Sequence, residues 1–280
     1  MPNVLTNKKV ITSTDWAANH LNDKGLQFVE VNVDTDTNAS GQIPGAIGWN
    51  WETQLQDQLR RDIVSRKDFQ QLLRKSGIKQ DTTIILYGDN SNWFAAWAYW
   101  LLKYYGHQDV KILDGGRKKW LAEDRELTNK SPQLEATDYV ISGINEQYRA
   151  FRKEVAETIE GEDYGLVDVR SEDEFTGKIL APPGLDELSQ RPGHIPGASN
   201  ITWSKAVNED GTFKTKDELK EIYESEGITP DKKIISYCRI GERAAHSWFV
   251  LNELLEYPEV SNYDGSWTEW GNLIGAPIAR

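Results

Sequence analysis

Ile84-Ile85-Leu86-Tyr87-Gly88 returns, 150 residues later, as Ile234-Ile235-Ser236-Tyr237-Cys238. The same offset, with no gap, pairs Asp114-Gly115 with Asp264-Gly265 and Trp120 with Trp270. Upstream, Gly41-Gln42-Ile43-Pro44-Gly45-Ala46 matches Gly193-His194-Ile195-Pro196-Gly197-Ala198. Earlier still, Phe28-Val29-Glu30-Val31-Asn32 parallels Leu166-Val167-Asp168-Val169-Arg170. Blocks recurring in one order mark an internal duplication. The chain reads as two copies of one unit, 1–139 and 140–280, with a linker in the polar stretch from Ser131 to Gly143.

Each copy reads as α/β. Short apolar runs bounded by turn residues predict buried parallel strands: Phe28 to Val33, Ile84 to Tyr87 and Val110 to Leu113, then Leu166 to Val169, Ile234 to Tyr237 and Val260 to Tyr263. Between them lie helical patterns. Arg66 to Lys75 follows the N-cap candidate Ser65, and Asp217 to Ser225 follows Thr215. Phe94 to Tyr105 and Ala244 to Leu255 complete the set. Strand–helix alternation of this kind implies a parallel sheet with helices on both faces.

Composition narrows the function. With 38% hydrophobic and 27% charged residues over 280 positions, the chain has the balance of a globular protein. A net charge of -12 repels nucleic acid and anionic membranes, so neither is expected as a partner. No apolar run approaches the roughly 18 residues that span a bilayer, and Met1 to Lys9 lacks the apolar core of a signal peptide; a cytoplasmic monomer is expected. The single cysteine cannot form an internal disulfide, and the four histidines do not cluster with it as metal ligands; no cofactor is expected.

That cysteine marks where the copies differ. The second copy has Cys238-Arg239-Ile240-Gly241-Glu242-Arg243 where the first has Gly88-Asp89-Asn90-Ser91-Asn92-Trp93. Cys238 ends a strand and precedes a helix, and ligands of open parallel sheets bind beyond the carboxyl ends of the strands. Unpaired N–H groups at the helix entrance attract an anion, and Arg239 and Arg243 add positive charge that Glu242 partly offsets. A thiol there is expected to ionise below the free value of about 8.5. Gly241 lets the backbone turn. The second copy also has a longer stretch between Asp168 and Gly193, including Ala181-Pro182-Pro183-Gly184, of the kind that borders sites.

Together, Asp168-Val169-Arg170, the Gly193 to Ala198 turn, the Cys238 to Arg243 loop and Asp264-Gly265-Ser266-Trp267-Thr268-Glu269-Trp270 resemble the rhodanese family. Two tandem copies with one active loop resemble its thiosulfate sulfurtransferases, and the Cys-Arg-Ile-Gly-Glu-Arg loop is similar to bacterial ones. The resemblance implies two tandem rhodanese-like domains, the first non-catalytic with Gly88 in place of the nucleophile. It also implies a ping-pong transfer: Cys238 takes the outer sulfur of thiosulfate as a persulfide, then yields it to cyanide, a thiol, or a thioredoxin-like reductant. Arg239, Ile240, Gly241, Glu242 and Arg243 would form the substrate cradle, with the arginines as counter-charges for the oxyanion. Mercaptopyruvate sulfurtransferases of the family have an uncharged loop rich in Gly and Ser, which makes that substrate the alternative. Where some members carry a basic residue after the Asp-Val-Arg strand, this chain has Ser171-Glu172-Asp173-Glu174-Phe175.

Structural roles compete at several of these positions. Arg243 can pair with Glu242 or a carboxylate of the first copy instead of substrate, and Arg239 can be a surface charge. Asp168 and Arg170 read as an ion pair of the scaffold. His246 reads as a packed histidine, His194 as a turn hydrogen bond, and Trp267 and Trp270 as core, with Trp267 also able to line a pocket. A phosphatase or arsenate reductase of related fold is the remaining chemical alternative. Such phosphatase loops place five residues between Cys and Arg, and Cys238 and Arg243 enclose four.

Overall fold

The computed structural model describes residues 10–33, 41–159, 161 and 163–280; the start of the chain, from which the absence of a leader was read, lies outside them. The described residues up to Asn145, together with Glu209–Phe213, form one compact unit, and Glu146–Asn208 with Lys214–Arg280 form the other. Each unit is built on a parallel sheet.

In the first unit the strand order is Ile11–Thr12, Val110–Leu113, Thr83–Tyr87, Leu26–Asn32, Ile47–Asn50. In the second it is Val260–Asn262, Lys233–Tyr237, Tyr164–Asp168, Ser199–Asn200. Every pairing within these two sheets is parallel. The outermost strand of the first sheet shrinks in the second to one parallel bridge, Arg149 to Asn262. Its register is conserved nonetheless, since Ile11 pairs with Ile112, which lies 150 positions before Asn262.

The helices form where capping chemistry and apolar spacing agree. Ser65 accepts from the Asp68 N–H ahead of helix Arg66–Lys75, which buries Phe69 and Leu73. Thr215 and Glu218 make a reciprocal cap on Lys216–Glu224. The helix expected over Ala244 to Leu255 begins earlier, at Glu242, and ends as α-helix at Phe249. Val250–Leu254 continues it as one π turn, a widening that a periodicity reading does not resolve.

The cores repeat as the sequences do. Phe28, Ile43, Ile85, Tyr87, Leu113 and Trp120 pack together in the first unit. Leu166, Ile195, Ile235, Tyr237, Tyr263 and Trp270 take the corresponding places in the second, joined by Trp267. In both, a turn amide donates to the buried tyrosine hydroxyl: Ile43 N–H to Tyr87 and Ile195 N–H to Tyr237, each at 3.1 Å. Among the described residues no helix is long and apolar enough to cross a membrane.

Candidate active site

Strand Lys233–Tyr237 delivers Cys238 to the centre of a loop that closes on itself. The Cys238 N–H donates to Ser266 Oγ at 3.0 Å, and that hydroxyl donates to the Tyr263 carbonyl at 2.7 Å. The Cys238 and Arg239 carbonyls accept from the Trp267 and Thr268 N–H groups, each at 3.0 Å. The loop is thus pinned along Ser266–Trp270, the short helix of the Asp-Gly-Ser-Trp motif. Ser266 holds a left-handed φ of 52°, a strained setting for a side chain, and uses it to aim its hydroxyl at the cysteine amide.

Gly241 turns the loop back over the sulfur. Its φ is +102°, and a Cβ there would sit 2.9 Å from Asp264 Cα, so both conformation and space require glycine. Its N–H donates to Cys238 Sγ at 3.1 Å, and the thiol donates to Glu242 Oε2 at 3.4 Å. Cys238 is fully buried.

The charge balance departs from the sequence expectation. Arg243 is engaged by Glu174 in a two-pronged ion pair, with Nη1 to Oε2 at 2.9 Å and Nη2 to Oε1 at 3.0 Å. Its Nε lies 3.5 Å from Glu242. Glu174 also caps its own short helix, accepting from the Ser171 N–H and hydroxyl. The acidic segment after the Asp168 strand therefore supplies the carboxylate that neutralises a loop arginine. Burial pushes the Glu174 carboxyl up, but Arg243 and the Ser171 amide outweigh it and hold it below the usual range.

The thiol is not acidified, chiefly because it is buried. Burial and then the Glu242 carboxylate push Cys238 up to about 11, against the opposing pull of Arg243 and the Ala244 and Gly241 N–H groups. The expectation of a lowered thiol pKa is corrected on this point. It counted the arginines as free charges and left out the desolvation of the sulfur.

Arg239 is not a surface charge. It is buried, its Nη1 donates to the Asp186 carbonyl in the long segment before Gly193, and its Nε has no hydrogen-bond partner among the described residues. Ile240 is half-buried. The other candidates fall where structural readings put them. Asp168 and Arg170 form a buried pair with the guanidinium 4.6 Å over the Trp267 ring. His194 bonds the Phe175 carbonyl and stacks on its ring. His246 is fully buried edge-on to Trp203, and burial pushes its pKa down to about 3, so it stays neutral. Ser266 is the functional position missed in the sequence. The offset that pairs it with Gly116 was the available signal.

Two parallel-sheet units with a buried cysteine cradled at the C-terminal end of one central strand define a class of sulfur-handling α/β proteins. The chain belongs to the rhodanese-domain family: the model of the Rhodanese-like domain matches residues 13–123 and 151–273. It is similar to a Haloferax volcanii protein named "Putative thiosulfate sulfurtransferase", 52% identical over 98% of this chain and 97% of that one. A Thermus thermophilus relative named "Sulfur carrier protein TtuD" is 49% identical over 97% of both chains. Among solved structures, Escherichia coli SseA, described with the 3-mercaptopyruvate sulfotransferases, superposes with a TM-score of 0.78 at 29% identity. The match covers 92% of this chain and 98% of that one.

Proposed function

We propose that the protein is a thiosulfate sulfurtransferase that carries sulfur as a persulfide on Cys238. The observation that bears most on this is the Gly241 N–H pointing from 3.1 Å at the sulfur of Cys238, the single cysteine of the sequence. The sulfur attacks the outer sulfur of thiosulfate, the S–S bond breaks, and sulfite leaves with the electron pair. Cyanide or a thiolate then removes the terminal sulfur from the persulfide. Names borne by relatives about half identical to this chain support thiosulfate as the donor, and the sulfur-carrier name of another supports the carrier role. Arg239 also supports thiosulfate, since its buried Nε has no hydrogen-bond partner among the described residues and is a donor suited to an oxyanion.

The test is intact-mass measurement after incubation with thiosulfate, followed by addition of cyanide. The wild type gains the mass of one sulfur atom and loses it to cyanide as thiocyanate, whereas Cys238→Ser gains nothing. Sulfur uptake retained in Cys238→Ser would sink the persulfide mechanism. Uptake from 3-mercaptopyruvate but not from thiosulfate would replace the donor and leave the carrier.

A further inference from the structure

On the reading of Cys238 as the sulfur carrier, we propose that Glu242 is a catalytic residue that takes the thiol proton as the sulfur attacks its donor and returns it when the sulfur departs. The geometry is direct: Glu242 Oε2 accepts from Cys238 Sγ at 3.4 Å, with both side chains buried. His246, the histidine of the same helix, is buried against Trp203. The charged groups around Glu242 are Arg243 at 3.5 Å on its own helix and Glu174 across that guanidinium. Asp264 lies behind Gly241, occupied by Arg149 at 2.8 Å.

The chemistry needs such a group. The resting thiol is neutral at physiological pH, because burial and Glu242 itself hold the proton on sulfur. A free thiolate beside a carboxylate is therefore an unfavourable species in this cavity. If the proton crosses to Glu242 while the new S–S bond forms, that species is bypassed, since sulfur becomes more acidic as it donates its electron pair. The balance closes. Cys–SH, the carboxylate and thiosulfate give a persulfide anion, a carboxylic acid and sulfite. In the second half, cyanide or a thiolate takes the terminal sulfur, and the released Cys238 sulfur recovers its proton from Glu242.

The shuttle also keeps the charge of the thiol–carboxylate pair constant. Before the first step the pair is neutral sulfur plus carboxylate, and after it persulfide anion plus neutral acid. Each incoming anion meets one negative charge rather than two, which is the condition an anionic donor and an anionic acceptor share.

Glu242→Gln separates this role from a purely electrostatic one, because the two predict opposite signs. Removing the carboxylate charge lowers the thiol pKa, so a charge-only role makes persulfide formation at neutral pH faster. A proton-transfer role makes it slower, by about 10²–10⁴-fold. The measurement is single-turnover sulfite release from thiosulfate as a function of pH. The wild-type rate should be flat across neutral pH, and the Gln rate should climb with pH as thiolate accumulates. Glu242→Asp, which keeps the charge but shortens its reach, should also be slow at neutral pH. A Gln variant as fast as wild type, or faster, overturns the proposal, and so does an unimpaired Asp variant if Gln fails to fold. Wild-type protein that takes no sulfur from thiosulfate counts instead against the donor. The wild-type-to-Gln ratio is then read with a low-molecular-weight persulfide, whose attack requires the same proton move.

Discussion

Gly88 and Cys238 occupy one position in the two units, and their loops are tied down by different side chains doing the same job. In the first unit the Gly88 N–H donates to Asn92 Oδ1 at 3.0 Å, and Asn92 Nδ2 donates to the Leu113 carbonyl at 2.9 Å. In the second, the Cys238 N–H and the Tyr263 carbonyl, at the corresponding positions, are bridged by the Ser266 hydroxyl. The exchange is coupled. Ser266 corresponds to Gly116, where a Cβ would lie 2.5 Å from Asn92 Oδ1. Glycine at 116 admits the asparagine, and serine at 266 makes it unnecessary. The side chain at 242, equivalent to Asn92, is thereby released from holding the loop and faces the sulfur. One unit uses this position to hold the loop, and the other turns it toward the sulfur.

The largest effect expected from breaking this comparison is at Arg243, whose counterpart Trp93 carries no charge. Arg243→Ala leaves Glu174 buried without its partner and should destabilise the second unit by about 3–5 kcal/mol, measured by chemical denaturation. The sign of the pH dependence follows from Glu174. Its pKa is lowered in the folded state, so the pair contributes above the unfolded value and is lost as pH falls through the lowered one. The variant should therefore show a flatter acid limb. Arg239→Ala should do the reverse, leaving stability nearly unchanged and slowing the thiosulfate half-reaction about ten- to hundredfold through one lost charge-assisted hydrogen bond. If Arg243→Ala loses activity at full stability, the Glu174 pair is not what that arginine is for.

Next in size is Gly88→Cys. A Cβ at Gly88 would sit 2.5 Å from the Val31 carbonyl oxygen, a backbone atom that cannot move aside cheaply. The substitution should cost about 1–3 kcal/mol by overpacking. In a Cys238→Ser background it should restore no sulfur uptake from thiosulfate. Turnover in that double variant would show that the first unit lacks only its nucleophile.

The parts of this arrangement legible in the sequence were those carried by local pattern or by the repeat. Strand and helix positions followed from periodicity and caps such as Ser65 and Thr215, and the offset of 150 tied Cys238 to Gly88. The pairing of Arg243 with Glu174 was not legible, because 69 residues separate them and nothing local says which face of the sheet each reaches. Glu174 was visible only as an acidic residue where the family pattern suggested a basic one. The thiol pKa was misjudged for a related reason. Charges can be counted in a sequence, but burial is a property of the fold.

The smallest effect expected is also the most specific test of the exchange. Ser266→Gly makes position 266 like Gly116 and removes the bridge between the Cys238 N–H and the Tyr263 carbonyl. The buried Cys238 N–H left unsatisfied costs about 1–3 kcal/mol, while the Tyr263 carbonyl still accepts from the backbone N–H of residue 266. Relief of the left-handed φ at residue 266 returns roughly 1 kcal/mol, so the net loss should be small. Adding Glu242→Asn should then recover part of that loss, since an asparagine at 242 can reach the same two groups that Asn92 bridges in the first unit. Made alone, Glu242→Asn finds the place filled by the Ser266 hydroxyl and should give no such gain. A double-mutant cycle on unfolding free energies should therefore show a favourable coupling of about 0.5–1.5 kcal/mol between positions 242 and 266. The double variant should at the same time be the slowest in sulfur uptake, because it has lost both the hydroxyl that holds the cysteine amide and the carboxylate beside the thiol. Strict additivity of the two stability changes would mean that the two bridges are independent solutions, and that nothing at 266 released position 242 for its place beside the sulfur.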